Sequence, residues 1–364
     1  MGGRVAHSAN RKETDEMIMF YCDYNEGAHP AIMKLLSDTN MEQHEGYSED
    51  TYTQKARALI RKACQADDVD VHILVGGTQT NATVISAALR PHQGVISAET
   101  GHINCHETGA IEAGGHKVLA LSSPEGKITA AQVRKYCIDH RDDSSFEHIV
   151  QPKMVYVSSP TELGTIYARS ELEALRAVCD EFGLYLFLDG ARLGYGLASP
   201  ENDLDLPFLA KVCDVFYIGG TKQGALFGEA VVIRNEALKE DFRYIIKQNG
   251  GMLAKGRLLA LQFIGLFTDD LYMKLSRHAI AMAIKIKEGF EAMGVKFLAE
   301  SPTNQQFPIL PDAILEKIGK KYGYEYQKRI DEENSSVRFC TSWATKEENV
   351  DSLLADVKEM LYHS

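Results

Sequence analysis

Short apolar runs of the strand type alternate along this chain with stretches in which apolar residues recur at helical spacing. Val71-His72-Ile73-Leu74-Val75 is the first strong run. The small-residue turn Gly76-Gly77-Thr78-Gln79-Thr80-Asn81 follows, and Val84, Ile85, Ala88 and Leu89 then mark one face of a helix that stops at Pro91. Further strands are predicted at Gly94-Val95-Ile96-Ser97, Val118-Leu119-Ala120-Leu121, Met154-Val155-Tyr156-Val157, Leu184-Tyr185-Leu186-Phe187-Leu188 and Asp214-Val215-Phe216-Tyr217-Ile218. Between them, residues Ile128 to Ile138 read as helical, and Ser170 caps an amphipathic helix through Leu172, Leu175, Val178 and Cys179. Upstream, Asp50 caps a helix through Ala56, Leu59, Ile60 and Ala63. The polar stretch Phe20 to Pro30 is too irregular for a core element and predicts a loop ahead of a short helix. Strands alternating with helices predict an α/β fold on a parallel sheet with right-handed crossovers.

After Ile218 the rhythm changes. Glu229-Ala230-Val231-Val232-Ile233 is a strand, and long helical stretches fill roughly 236–293. The remainder offers a strand at Gln306-Phe307-Pro308-Ile309-Leu310, a helix over about 311–321, a strand Val337-Arg338-Phe339-Cys340-Thr341 and a last helix over about 346–361. The change predicts a large domain over 16–265 and a small C-terminal α+β domain over 266–364, the boundary falling within 250–275, with residues 1–15 as a loose tail.

Composition narrows the class. The chain has 364 residues, 45% hydrophobic and 25% charged, as in ordinary globular proteins with a sizeable core. A formal net charge of −12 without a basic run argues against nucleic acid or an anionic membrane as partner. No apolar run approaches the ~20 residues that span a bilayer, and the N-terminus lacks the apolar core of a signal peptide. Seven scattered cysteines (22, 64, 105, 137, 179, 213, 340) without a C-x-x-C pair point to reduced thiols and a cytoplasmic protein.

Two strand ends carry the candidate chemistry. Lys222 sits in the small-residue turn Gly219-Gly220-Thr221-Lys222-Gln223-Gly224-Ala225, where burial would favour the neutral amine that forms a Schiff base. The run ending at Leu188 leads into Asp189-Gly190-Ala191-Arg192. In open α/β sheets ligands lie beyond the carboxyl ends of strands, so Asp189 and Lys222 are expected in one crevice. That pair suits pyridoxal phosphate, whose aldehyde needs the lysine and whose ring nitrogen needs a carboxylate. The turn at Gly76 to Asn81 has the strand, small-residue loop and helix start of a phosphate site, or of a plain helix N-terminus. His102 and His106, with Cys105 and Glu107, invite a metal reading, but the spacing is not H-E-x-x-H and adjacent residues face different sides. His102 is better placed as an aromatic plate on a planar ring. Arg338, in a hydrophobic strand, is either half of a structural ion pair or a bidentate clamp for a carboxylate.

Taken together these segments resemble the pyridoxal-phosphate threonine aldolases of the β-eliminating lyase superfamily, over nearly the whole chain. Leu188-Asp189-Gly190-Ala191-Arg192-Leu193 is similar to the family's D-G-A-R-[LI] segment, and Gly77-Thr78-Gln79-Thr80-Asn81 to its G-T-x-x-N loop. Gly101-His102 through Glu107, the turn around Lys222, and Val337-Arg338-Phe339-Cys340-Thr341 match its histidine, lysine and carboxylate-binding segments. The resemblance implies the large-domain fold of aspartate aminotransferases (fold type I), with a mainly parallel seven-stranded sheet. It implies that Lys222 binds the cofactor aldehyde, Asp189 the pyridine nitrogen, and His102 the ring face. Arg192 serves the ring oxygen and the substrate carboxylate, Arg338 is the main carboxylate clamp, and Asn25 joins the substrate side. Gly77, Thr78, Gln79, Thr221 and Lys255 complete the implied cofactor contacts, Lys255 standing near where the family has an arginine that reaches a phosphate. Cys22-Asp23 replaces the family's Ser-Asp, Leu253 follows Gly250-Gly251-Met252 where the family has that arginine, and Thr221 replaces a serine.

The expected reaction is cleavage of the Cα–Cβ bond of threonine or a like β-hydroxy-α-amino acid to glycine and an aldehyde, with His102, His106 or a water as base. β-Elimination or transamination on the same scaffold is the enzymatic alternative, and a non-catalytic protein that has kept the fold is the third. The polar, aromatic, Gly-containing loops at Asp23–Gly27 and Gly46–Asp50 suggest segments that cross to a partner, and the resemblance implies a homodimer or homotetramer with shared active sites.

Overall fold

The computed structural model describes residues 17–362, so the tail expected over residues 1–15 lies outside the described residues. Seven strands form the large sheet: β1 (Asp70–Leu74), β2 (Gln93–Ala98), β3 (Lys117–Leu121), β4 (Gln151–Ser158), β5 (Tyr185–Asp189), β6 (Val215–Gly219) and β7 (Glu229–Ile233). Their order is β1-β7-β6-β5-β4-β2-β3. Strands β2 to β6 pair in parallel, whereas β7 runs antiparallel to both β1 and β6. The change of rhythm after Ile218 has this cause: β6 and β7 are joined by a short return loop with no crossover helix, and that loop carries Lys222.

The period-two alternation of the strands sorts their side chains into two cores. Val155, Val157, Leu186, Leu188, Phe216 and Ile218 enter one, covered by the helices Thr51–Cys64, Arg169–Phe182 and Arg257–Leu266. Met154, Tyr156, Phe187, Val215 and Tyr217 enter the other, covered by Gly77–Ala88 and Phe242–Gln248. Both faces are buried, which is why these strands read as continuous apolar runs.

The C-terminal unit builds a third core on the strand Asn334–Cys340, flanked by Gln305–Gln306, Pro308–Pro311 and Glu325–Arg329. The strand expected at 306–310 is split at Phe307, and Glu325–Arg329 had no sequence signal because it has no apolar run and three of its five residues are exposed. The 22-residue helix Leu271–Ala292 begins in the large core with Tyr272 and Leu275 and ends in the small one with Ile286 and Phe290.

In the segment at 20–30 the loop and the helix Pro30–Asp38 after it form as expected, but residues at its start are buried. Ile18–Met19 pairs with Tyr322–Gly323, Phe20 is 1% exposed in the C-terminal core, and Cys22 and Asp23 are buried. Its burial is set by a partner 300 residues away in the chain, which no local period reports. No helix among the described residues is long and apolar enough to cross a membrane.

Candidate active site

The ends of β5 and β6 touch through glycines. A Cβ on Gly190 would lie 1.9 Å from the Tyr217 carbonyl oxygen, and one on Gly219 2.4 Å from that of Ala191, so only hydrogen fits at either position. This contact brings the Asp189 loop and the Lys222 turn together. The amides of Gly220 and Thr221 both donate to the Gly228 carbonyl, at 2.9 and 3.2 Å. Lys222 is half-buried where full burial was expected. Its Nζ lies 5.8 Å from the Tyr24 ring centroid, and among the described residues it makes no hydrogen bond or ion pair.

Asp189, 4% exposed, is held from three sides. The Tyr156 hydroxyl donates to Oδ2 at 2.5 Å, Asn81 Nδ2 donates to the same oxygen at 3.1 Å, and the Ala191 amide donates to Oδ1 at 3.0 Å. Burial opposes its ionisation, but His102, the Tyr156 hydrogen bond and the Ala191 amide outweigh it and hold its carboxyl below the usual range. A fixed, ionised carboxylate results. Asn81 entered the sequence reading only as the last residue of the G-T-x-x-N match, with no contact to Asp189 expected of it, and Tyr156 was not singled out; it is recognisable only once β4 is known to lie beside β5.

His102 opens the short helix His102–Cys105. Its amide donates to Glu162 at 2.8 Å, and its Nδ1 lies 2.8 Å from Oε1 of the buried Glu107. Asn81 Nδ2 also donates to that Glu107 oxygen at 2.8 Å, so one amide group joins the carboxylates of Glu107 and Asp189. Burial works against charge on His102, yet Glu107, Asp189 and Glu162 raise its pKa overall. Glu107 thus holds the imidazole, a contact that the sequence did not assign. Cys105 is turned to the Glu99 carbonyl, away from His102.

The helix Gly77–Ala88 starts at Gly76 with no side-chain cap, which leaves its first amides open to an anion. A Cβ on Gly76 would meet nothing within 4 Å, so open space adjoins that terminus. Thr78 is exposed there. The Gln79 side chain is engaged elsewhere, accepting from the Val75 amide at 3.2 Å and donating to the Asn249 carbonyl at 3.1 Å. Lys255 is exposed, beside the contact of Gly256 with Ser48. An unpaired lysine amine, an ionised buried carboxylate and an uncapped helix start are the three anchors pyridoxal phosphate requires, and these residues fit it.

The arginines face carboxylates already. Arg192 Nε and Nη2 donate to the two oxygens of Asp23 at 2.7 and 3.1 Å, and Asn304 donates to Asp23 at 2.9 Å. Burial opposes ionisation of Asp23, but the charges of Arg192 and Lys222 and these hydrogen bonds keep its pKa low. Asp23 is thus bound to Arg192 and Asn304 of its own chain. Arg338 donates to Gln305 at 3.0 Å and to the Tyr21 carbonyl at 3.3 Å, and forms an ion pair with Glu325 on the neighbouring strand. The structural ion pair is thus present, and the strand places it beside the N-terminal segment that carries Asp23. Asn25 is exposed and closes a local turn on Cys22 through its amide, at 2.9 Å to the Cys22 carbonyl.

Comparison with known proteins agrees with this geometry. Residues 23–313 match the model of the beta-eliminating lyase family. The chain is 32% identical over 352 residues to a low specificity L-threonine aldolase of Pseudomonas aeruginosa, covering 95% of this chain and 98% of that one. It is 44% identical to the solved structure of Leishmania major threonine aldolase, with a TM-score of 0.92 and coverage of 94% and 99%. Thermus thermophilus aspartate aminotransferase, at 15% identity and a TM-score of 0.69 over 94% of this chain and 91% of its own, shares the fold. The chain belongs to the β-eliminating lyase family and, within it, to the threonine aldolases.

Proposed function

We propose that the protein is a pyridoxal-phosphate-dependent carbon–carbon lyase that cleaves threonine or allo-threonine to glycine and acetaldehyde. The observation that carries this is the meeting of Lys222, whose amine has no polar partner among the described residues, and the ionised Asp189 at neighbouring strand ends. When bound, pyridoxal phosphate supplies the electron sink that lets a bond at Cα break. Lys222 is the amine that binds the aldehyde, and Asp189 holds positive charge at the ring nitrogen. His102, kept in place by Glu107, covers the ring face, and the amides at Gly77 and Thr78 cradle the phosphate. Arg192 and Arg338 bind the substrate carboxylate and thereby set the Cα–Cβ bond perpendicular to the ring, the orientation in which it breaks. Nearly full-length similarity to threonine aldolases supports this choice among the reactions open to the fold.

Arg338 supplies the first test. An ammonium cannot hold a carboxylate with two parallel hydrogen bonds, so Arg338→Lys raises KM for threonine and also lowers kcat as the bond drifts from alignment. The expected loss in kcat/KM is about 10–100-fold, the worth of roughly 1.5–3 kcal/mol for a hydrogen bond to a charged group. Glycine release measured over a range of threonine concentrations checks it; unchanged constants would leave Arg338 only its ion pair with Glu325.

A homodimer or homotetramer with shared sites belongs to the same proposal. Tyr24, Met33, Met41 and Tyr47 in the N-terminal segments and Leu226 after the lysine turn are exposed apolar residues, as expected of a surface that a second copy covers. Lys255, exposed and without an ion pair among the described residues, suits a phosphate contact in that assembly. Sedimentation velocity of the holoenzyme tests it, and a fully active monomer would refute it. The free state of all seven cysteines supports a cytoplasmic location, which cell fractionation checks.

A further inference from the structure

Glu229 is a buried carboxyl that none of the roles above uses. It opens β7 opposite Gly219 on one side and Leu74 on the other, the residues after which the lysine turn and the phosphate loop begin. It is 2% exposed. Its Oε1 accepts from the Thr221 hydroxyl at 2.8 Å, and that hydroxyl in turn accepts from the Gly228 amide at 3.1 Å. Among the described residues its Oε2 is buried without a hydrogen-bond partner. A carboxyl with so few hydrogen bonds destabilises a core position that an apolar side chain would fill at less cost. The ionisable groups that face it are Lys222 in the turn, Asp189 at the end of β5, and the phenols of Tyr217 on β6 and Tyr272 on the helix Leu271–Ala292.

We propose that Glu229 is a positioning residue for Lys222: through the Thr221 hydroxyl it fixes the turn that presents the amine, and its ionisation sets the charge that the amine experiences. The inference rests on Lys222 being the cofactor-bound lysine. Burial pushes the Glu229 carboxyl up to about 8, against the pull of Lys222 and the Thr221 hydrogen bond, so it changes charge within the working range of an enzyme at neutral to mildly alkaline pH. The sign follows from electrostatics. An anion beside a nitrogen that carries a proton favours the protonated form, so removing the anion moves proton loss at that nitrogen to lower pH. Asp23 and Asp189, the other carboxylates of the site, stay ionised throughout and provide a constant background.

The test is a pH titration of the visible absorbance of the holoenzyme without substrate, in wild type, Glu229→Gln, Thr221→Val and Thr221→Ser. Glu229→Gln keeps the shape and an oxygen for the Thr221 hydroxyl but cannot ionise. Its titration midpoint is expected to fall by about half a pH unit or more, roughly threefold in proton affinity. Thr221→Val, which removes the hydrogen bond that stabilises the carboxylate, shifts the midpoint in the same direction, and Thr221→Ser, which restores the hydroxyl, returns it to the wild-type value. A Glu229→Gln midpoint equal to wild type overturns the proposal; should that variant fail to fold, equal midpoints for the Val and Ser variants overturn it. Loss of the long-wavelength band in Lys222→Ala separates the two claims, since a band surviving there would refute the lysine assignment itself, whatever Glu229 does.

Discussion

Lys222→Ala is expected to abolish turnover and the long-wavelength absorbance of the lysine-bound cofactor while the protein stays folded. The turn does not depend on the lysine side chain. It is held by the Gly220 and Thr221 amides on Gly228 and by the Thr221 hydroxyl on Glu229. Truncation therefore leaves no hydrogen-bond partner stranded, and a half-buried stem costs stability by about 1 kcal/mol at most. The uncapped start of the helix Gly77–Ala88 and Asp189 remain, so cofactor is still bound through its phosphate and ring nitrogen. Absorbance spectra and a threonine assay on the purified variant check this, with thermal unfolding as control. Wild-type absorbance and rate would move the essential amine to another lysine.

Asp189→Asn is expected to lower kcat by roughly a hundredfold or more, the scale of losing one preorganised charge partner in a dry site. Asparagine has nearly the same shape, but it cannot hold positive charge at the ring nitrogen. Its single oxygen must also serve where the carboxylate now accepts from Tyr156, Asn81 and the Ala191 amide. One donor is left facing an NH2 group, at a cost of about 1–3 kcal/mol in stability. The pH dependence has a definite sign. Asp189 titrates in the fold below its ordinary range, so its contribution to stability is present at neutral pH and is lost only as the pH falls through that lowered value. The variant lacks this contribution, and its stability falls less steeply in acid. Steady-state kinetics and acid unfolding of the cofactor-loaded variant measure both effects; a near-normal rate would contradict the role of Asp189.

The parts of this site that lie at the ends of apolar strands were legible in the sequence. Asp189 and Lys222 each follow a run such as Leu184 to Leu188 whose period and length mark a strand buried on both faces, and small residues on either side announce a crowded turn. The helix start at Gly77 was legible for the same reason. What supports these groups was not. Tyr156 reaches Asp189 because β4 lies beside β5, Asn81 joins Glu107 to Asp189 across three elements, and Asp23 meets Arg192 over 169 residues of chain. Such contacts depend on tertiary packing, and no local period encodes them. Glu107 was noticed only as part of the histidine segment, the metal reading of which the spacing already disfavoured; its hold on the His102 ring shows only in the fold. Glu325 had no signal at all, lying in a polar strand that forms only against Asn334–Cys340.

The central claim is that the arginines and the Lys222–Asp189 pair direct cleavage to the Cα–Cβ bond. Product analysis after incubating the holoenzyme with threonine and allo-threonine tests it most directly. Glycine and acetaldehyde are expected in equal amounts with little 2-oxobutyrate; no glycine from any β-hydroxy-amino acid, together with pyruvate from serine or cysteine, would show elimination instead.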